Sequence, residues 1–289
     1  MTTSDERAAV ASVVIPAHNE AAVIGALIDE LFDDQSIGLE VVVVCNGCTD
    51  NTAAVVRQHA PAVVVIEIDE ASKSLALRAG NDAATRFPRL YVDADVVLSA
   101  TAAHRLVQVL DGGSLLAAGP QRRLDLSDSS VAVRWYYDVW ERLPQVQSGL
   151  FGRGVIAVSE AGYARLRELP PMMGDDLVAA EAFPPSERTI VADAEVTIWP
   201  PRSMTDLIQR RIRAATGNAE ADRAGLRSTA AKTSWTAVAA MVRREPRLFP
   251  KVLLFVGVAG WSRLRARRAI RTRDQTWRRD DSSRVRSSL

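Results

Sequence analysis

The feature that most constrains this chain is an alternation running through its first two-thirds. Short runs rich in valine and isoleucine take turns with helix-length amphipathic segments. Ser12–Ile15, Glu40–Val44, Ala62–Ile66 and Leu90–Val92 read as strands apolar enough to be buried on both faces. Between them Glu20–Phe32, Thr49–His59, Ser72–Thr85 and Ala102–Leu110 carry helical spacing, and Pro61 and Pro88 punctuate two helix-to-strand returns. Such a chain builds an α/β fold, a mostly parallel central sheet with right-handed crossovers and flanking helices. Leu115–Ala118 reads as a further strand, and past Pro120 the pattern loosens. Val131–Arg142 is a helix bearing tryptophan and tyrosine, Gly152–Val158 a strand, and Arg188–Ile198 one or two strands. From Ser203 onward the chain reads as helices only, ending in an Arg/Asp/Ser tail.

Charge divides the chain at the same place. Residues 1–201 hold 15 Lys and Arg against 28 Asp and Glu, whereas residues 202–289 hold 21 against 7. The near-neutral total of +1 therefore conceals an acidic first part and an arginine-rich second part with different jobs. The N-terminus, Met1 to Arg7, lacks the basic-then-apolar layout of a signal peptide, and two cysteines make no disulfide framework. The expectation is a cytoplasmic protein.

In open sheets of this kind ligands bind beyond the carboxyl ends of the strands. Four strand ends here carry polar residues that packing does not require: Pro16-Ala-His-Asn-Glu20, Cys45-Asn-Gly-Cys-Thr-Asp-Asn-Thr52, Glu67 to Ser74, and Asp93-Ala-Asp95. In Asp-x-Asp on extended backbone the two carboxylates point to opposite sides. One can reach a metal while the other meets a ribose hydroxyl. Mg2+ and Mn2+ favour such oxygen ligands and bridge carboxylates to substrate phosphates. An acidic domain holding a nucleoside diphosphate needs that cation.

Taken in order, Val13-Val-Ile-Pro-Ala-His-Asn-Glu20, Val41 to Thr52 and Asp93-Ala-Asp95 resemble the family-2 glycosyltransferases of the GT-A fold. The resemblance covers roughly residues 11–200. It implies a Rossmann-like GT-A domain over residues 8–205, followed by an arginine-rich helical extension over 206–289. It implies that Pro16, Ala17, Asn19 and Glu20 lie along the nucleotide, with Asn46 and Asp50 by the base. Lys73 and Arg78 fall where the family has a loop over base and ribose. Asp93 would face the ribose and Asp95 the metal. Where the family has Asp-Asp-Gly-Ser this chain has Cys45-Asn-Gly-Cys48, which leaves uracil and guanine both open.

Met173-Gly-Asp-Asp-Leu177 resembles the family's acidic pair before a helix. Asp176 would then be the catalytic base, with Asp175 orienting it or binding acceptor; an attacking hydroxyl must lose its proton, and a positioned base accelerates that step by about 10²–10⁴-fold. A helix N-terminus would favour Asp at the same place for reasons of structure alone. Gln209-Arg-Arg-Ile-Arg213 falls near a Gln-x-x-Arg-Trp region of the family, so Arg210, Arg211 and Arg213 are candidates for diphosphate or acceptor. A solvated basic helix face is the competing account.

The implied reaction moves a hexose from a nucleoside-diphosphate sugar to the hydroxyl of a carbohydrate, lipid or small-molecule acceptor, with inversion. A nucleotidyltransferase of the same architecture would want a Gly-rich, basic triphosphate loop where Pro16–Glu20 stands. A catalytically silent binder or membrane-bound partner is the rival from another class. No Gly-x-Gly-x-x-Gly follows an early strand, which excludes a dinucleotide dehydrogenase. Cys45-x-x-Cys48 sits inside the second strand-end motif, and reads as small residues in a turn. His18 reads as a neighbour of the nucleotide, and Trp135 and Trp140 as core or acceptor lining.

Leu248–Ser262 is apolar apart from Lys251 but, at fifteen residues, falls short of the roughly 20 that span a bilayer. Arg243, Arg244 and Arg247 precede it and Arg263, Arg265, Arg267 and Arg268 follow. Such a segment suits a helix lying on an anionic membrane surface, here the inner face of the cytoplasmic membrane. Burial against the catalytic domain, or in a homodimer, is the alternative. No recognised motif points the arginines at nucleic acid.

Overall fold

A computed structural model describes residues 9–34, 36–60, 62–169, 175–228 and 231–271. Strands β1 (Ala11–Ala17), β2 (Leu39–Asn46), β3 (Val64–Ile68) and β4 (Arg89–Val92) lie parallel in the spatial order β3-β2-β1-β4. They alternate with helices α1 (Ile24–Phe32), α2 (Thr52–His59) and α3 (Lys73–Ala83). The period of two sorts their side chains onto two faces. Val13, Ile15, Val41 and Val43 meet α1 and α2, while Val14, Val42 and Val44 meet Ala76 of α3. Helix α1 has no side-chain cap at its start. Burial of Ile24, Leu27, Ile28 and Leu31 holds it instead, each worth about 1.5–3 kcal/mol. β3 departs from the expected double burial: it is the edge strand, and Val64 keeps 46% of its surface exposed.

The sheet continues through β5 (Val96–Leu98), β6 (Ala117–Leu124), β7 (Val155–Val158) and β8 (Arg188–Ile198), in the order β7-β6-β8-β5 beyond β4. β7 runs antiparallel to β4 and β6, β8 parallel to β6, and β5 antiparallel to β8. This half is mixed where the first is parallel. β6 runs on through Pro120, past the Leu115–Ala118 strand expected from the sequence. The register shifts between Pro120 and Gln121, the kind of irregularity at which a strand tolerates proline.

The link between β4 and β5 shapes the whole sheet. Only residues 93–95 separate the two strands, yet β5 pairs at the far edge, four strand intervals away. Four intervals in a flat sheet are about 19 Å, and the step from Val92 to Val96 reaches at most about 14 Å. The sheet must curl until its far edge comes back to its centre, and Asp93-Ala94-Asp95 lies where that curl closes.

After helix α4 (Ala100–Asp111) and β6 come α5 (Val131–Trp140), α6 (Pro144–Ser148), α7 (Glu160–Leu166) and α8 (Asp175–Glu181). Then follow α9 (Met204–Arg223), α10 (Trp235–Arg244), a 3₁₀ turn (Pro246–Leu248) and α11 (Phe249–Arg271). The C-terminal helices share a core with α5, in which Tyr136 and Val139 meet Leu207, Val238, Val252 and Phe255. The apolar segment 248–262 is thus buried along one face of α11, while Phe249, Leu253, Trp261 and Leu264 stay exposed along the other. Among the described residues no helix is long and apolar enough to cross a membrane.

Candidate active site

β1 and β4 are the neighbours at which the strand order reverses, so their carboxyl ends flank the crevice in which α/β sheets bind ligands. The loops after β1 and β2 are laced together there. Asn46 donates its amide to the Ala17 carbonyl at 2.8 Å, and His18 Nδ1 lies 2.6 Å from the Asn46 carbonyl. Asn19, the one non-glycine residue with positive φ among those described (52°), turns its side-chain oxygen to the Thr49 amide at 2.7 Å. The Glu20 amide donates to the Thr52 hydroxyl at 2.8 Å, and Asp50 accepts from the amides of Ala21 and Thr52 at 3.2 and 3.1 Å. Pro16 pairs with Val44 and Ala17 with Cys45 across the β1–β2 ladder. Most of the first two motifs therefore form one rigid shelf.

Cys45 and Cys48 belong to that shelf as packing and hydrogen-bonding groups. Burial pushes the Cys45 thiol up to about 12, and Cys48 Sγ accepts from the Asn19 amide at 3.4 Å. Gly47 makes the join to the third loop: its φ is +55°, and a Cβ there would stand 2.7 Å from the Ala71 backbone.

Asp93 and Asp95 end this shelf on the β4 side. The Asp93 amide donates to the Gly154 carbonyl at 2.7 Å, and its carboxylate accepts from Lys73 Nζ at 2.9 Å. Lys73 opens α3, with Ser72 as the cap accepting from the Leu75 amide. Arg78 lies on the same helix but exposed, five residues on and so about 140° around from Lys73. Asp95 keeps part of its surface accessible although its carboxylate lies deep in the fold. Burial pushes its pKa up and the Asp93 charge adds to this, while Arg210 and Lys73 oppose both. The structure so brings Asp93, Asp95, Lys73 and Arg210 together from three separate stretches of chain.

Arg210 belongs to α9, which also carries Arg211 and Arg213. Arg211 lies over the Tyr136 ring, 5.9 Å from its centroid. Arg210 and Arg211 both line a cavity of about 420 Å³ between α5, α9 and α11, along with Tyr136, Tyr137, Trp140 and Phe151. Arg213 lies on α9 apart from that lining. Leu177, immediately after Asp176, also borders the cavity. The backbone of 175 and 176 begins α8, but their side chains, with Met173 and Gly174, lie outside the described residues.

Two buried arginines clamp the backbone next to the cavity-lining residues Val146, Phe151 and Gly152. Arg153 is 1% exposed and donates to the carbonyls of Gly149, Pro120 and Gln147 at 3.1, 2.9 and 3.1 Å. Arg122 donates to the Val146 carbonyl and lies 4.8 Å from the Trp140 ring centroid. Burial lowers these guanidinium pKa values to about 9 and about 10. Neither arginine carries a sequence signal of its own for such clamping.

Residues 12–151 match the family model described as glycosyl transferase family 2. No curated protein matches the chain. Among solved structures, a mannosyltransferase from Pyrobaculum calidifontis, in complex with GDP-mannose and Mn2+, is 20% identical with a TM-score of 0.59; the match covers 94% of this chain and 77% of that one. Glucosyl-3-phosphoglycerate synthase from Mycobacterium tuberculosis, in complex with Mn2+, UDP and glucosyl-3-phosphoglycerate, is 19% identical with a TM-score of 0.53, over 78% and 83% of the two chains. Both share the fold of this chain. With the strand-end motifs assembled at the switch point and the family model spanning all of them, residues 12–151 form a glycosyl transferase family 2 domain, on the GT-A fold that both structures share.

Proposed function

We propose that the chain transfers a hexose from a nucleoside-diphosphate sugar to an acceptor hydroxyl, with inversion at the anomeric carbon. The observation that carries this reading is the placing of Asp95. It lies deep at the end of β4 beside Asp93, with Arg210 reaching it from α9 and the α5–α9–α11 cavity beyond Arg210. The two structural relatives hold GDP-mannose and UDP, each with Mn2+, which supports a nucleotide donor and leaves the base open.

The donor set fits a hard divalent cation. Two carboxylates meet where Lys73 and Arg210 only partly offset their charge. Among the described residues no cluster of three or more His, Cys, Asp or Glu forms a closed cage. That suits Mn2+ or Mg2+, which share their ligands with substrate phosphates. Asp95 would hold the ion; when bound, it supplies positive charge against the departing diphosphate. Asn19, Glu20, Asn46 and Asp50 shape the shelf under the nucleotide, Asp93 takes a ribose hydroxyl, and Arg210 adds charge on the diphosphate side. Asp176 takes the acceptor proton as the acceptor oxygen bonds to the anomeric carbon and the bond to the diphosphate breaks.

Release of UDP or GDP from a panel of nucleotide sugars, with Mn2+ and then with EDTA, tests this directly. One base should give metal-dependent turnover that Asp95→Ala abolishes in a folded protein. Donor binding without turnover, or near-normal turnover in the variant, would overturn the reading.

The outer face of α11 supports a further part of this reading, a peripheral seat on an anionic membrane at the inner face of the cytoplasmic membrane. Phe249, Leu253, Leu264 and Trp261 fall within about 120° of arc, with Arg243, Arg244 and Arg247 before them and Arg265 and Arg268 beside them. Apolar residues between arginines complement acyl chains below anionic headgroups. The protein should sediment with vesicles containing anionic lipid, less so at high salt, and Leu253→Ser with Trp261→Ser should release it. Dimerisation that the same pair of changes abolishes, without vesicle binding, would assign the face to a second copy instead.

A further inference from the structure

The cavity between α5, α9 and α11 leaves buried hydrogen-bonding groups unsatisfied. Tyr136 is 1% exposed and Ser262 2% exposed, and among the described residues neither hydroxyl has a hydrogen-bond partner. Arg211 Nε is likewise buried without an acceptor. All three residues line the cavity. Native proteins satisfy nearly all such groups, and each one left bare costs about 1–3 kcal/mol. Three donors around one space call for an acceptor that enters it.

The charge of the lining says what that acceptor is. Arg210, Arg211, Arg263 and Arg267 all border the cavity, and Arg210, Arg211 and Arg263 lie near enough to the Tyr136 hydroxyl to act on it electrostatically. Among the described residues the one acid in the lining, Asp222, is held by Arg227 at 3.3 Å and Lys232 at 3.0 Å. Gln145, Asn218 and Thr233 add neutral polar groups, and aromatic side chains form part of the wall, with Trp140 and Tyr137 in edge contact at 5.5 Å. A volume of about 420 Å³ lies within the usual range of small-molecule sites, roughly 300–1,000 Å³.

We propose that this cavity binds the acceptor by a phosphate group, which takes the hydroxyls of Tyr136 and Ser262 and the guanidiniums of Arg211 and Arg263 while an apolar or planar body lies on Trp140. The name acceptor rests on the glycosyltransferase reading; the anion site itself does not. Arginine forks and hydroxyls match phosphate oxygens, and bonds to a charged group are the stronger kind. Arg210 borders both this cavity and Asp95, so the bound acceptor lies on the path to the donor phosphates.

Calorimetry on the full chain separates the parts. The probes are phenyl phosphate, decyl phosphate below its aggregation concentration, and uncharged decyl glucoside. Both phosphates should bind and the glucoside should not. Decyl phosphate at least tenfold tighter than phenyl phosphate points to a lipid-borne phosphate; equal affinities point to a soluble one. Tyr136→Phe and Arg263→Gln should each weaken phosphate binding about tenfold, the scale of one hydrogen bond to a charged group, with UDP or GDP binding in Mn2+ unchanged. Phosphate binding no tighter than that of the glucoside, or equal binding by the variants, would overturn the proposal. Phosphate binding without any nucleotide binding would instead remove the glycosyltransferase reading and leave the anion site standing.

Discussion

Around Asn19 and Asp93 the polar side chains are bonded to one another, whereas around Tyr136 and Ser262 buried donors face a cavity with nothing to bond. The first region is a shelf of strand ends. Asn46 ties β2 to β1, Asn19 ties the two loops, and Lys73 ties α3 to the end of β4. The second is assembled from three helices held by apolar packing. A network satisfied in the free protein keeps its shape for a ligand of fixed geometry, as a nucleotide is. A site with unsatisfied donors gains most from its ligand, and the identity of that ligand is set by what those donors lack. One end of the crevice is therefore preformed, and the other is completed by what it binds.

The largest effect that could break this contrast lies at Asp176. Asp176→Asn should lower kcat by about 10²–10⁴-fold, the usual worth of a general base, with donor affinity intact. Single-turnover rates beside nucleotide titrations would check it. A loss of donor affinity with kcat unchanged would move Asp176 to the donor end.

Next in size is the packing that holds the second region together. Phe255 stacks on Tyr136 at 5.0 Å and is 4% exposed. Phe255→Ala should cost about 3–5 kcal/mol in urea unfolding, as buried phenylalanine truncations do. Where the variant stays folded, the strand-end shelf should still bind nucleotide, because it shares none of that core. Gly47→Val tests the opposite end. It forces a β-branched side chain into φ +55° with Ala71 at 2.7 Å, a strain of about 1–3 kcal/mol. Donor affinity should fall while binding of decyl phosphate is unchanged.

The two regions were also unequally legible in the sequence. The four parallel strands and their helices were visible because Val13 to Ile15 and Val41 to Val44 are continuous apolar runs, and the residues of the shelf stand next to them in the chain. β5 was not, since three residues carry no periodicity, and its pairing with β8 is fixed by the curl rather than by Val96–Leu98. The strand read as Leu115–Ala118 because the register shift that carries β6 past Pro120 is a property of the pair, not of β6. Arg210 could be picked out near a family motif, but its approach to Asp95 depends on the fold of the 114 residues between them. Tyr136, Ser262 and Arg263 had no signal of their own: on α5 and α11 they read as helix positions, and only the packing of those helices turns them to one space.

The smallest effect is the most discriminating, because it separates holding the fold from holding the donor. The Lys73–Asp93 pair is 2.9 Å long, with the two side chains 35% and 38% exposed. Solvent screens a pair this open, so its worth to stability is at most about 1 kcal/mol. Lys73→Met should therefore leave urea unfolding almost unchanged. Its effect on nucleotide binding should be larger, since removing Lys73 leaves Asp93 and Asp95 with one fewer cation between them and the diphosphate. A rise in the donor Kd that exceeds the stability change, and that added Mn2+ partly offsets, places the pair in the donor site. An equal change in both would mean that Lys73 only pins α3 to β4, and the shelf would then be scaffold as far as Asp93.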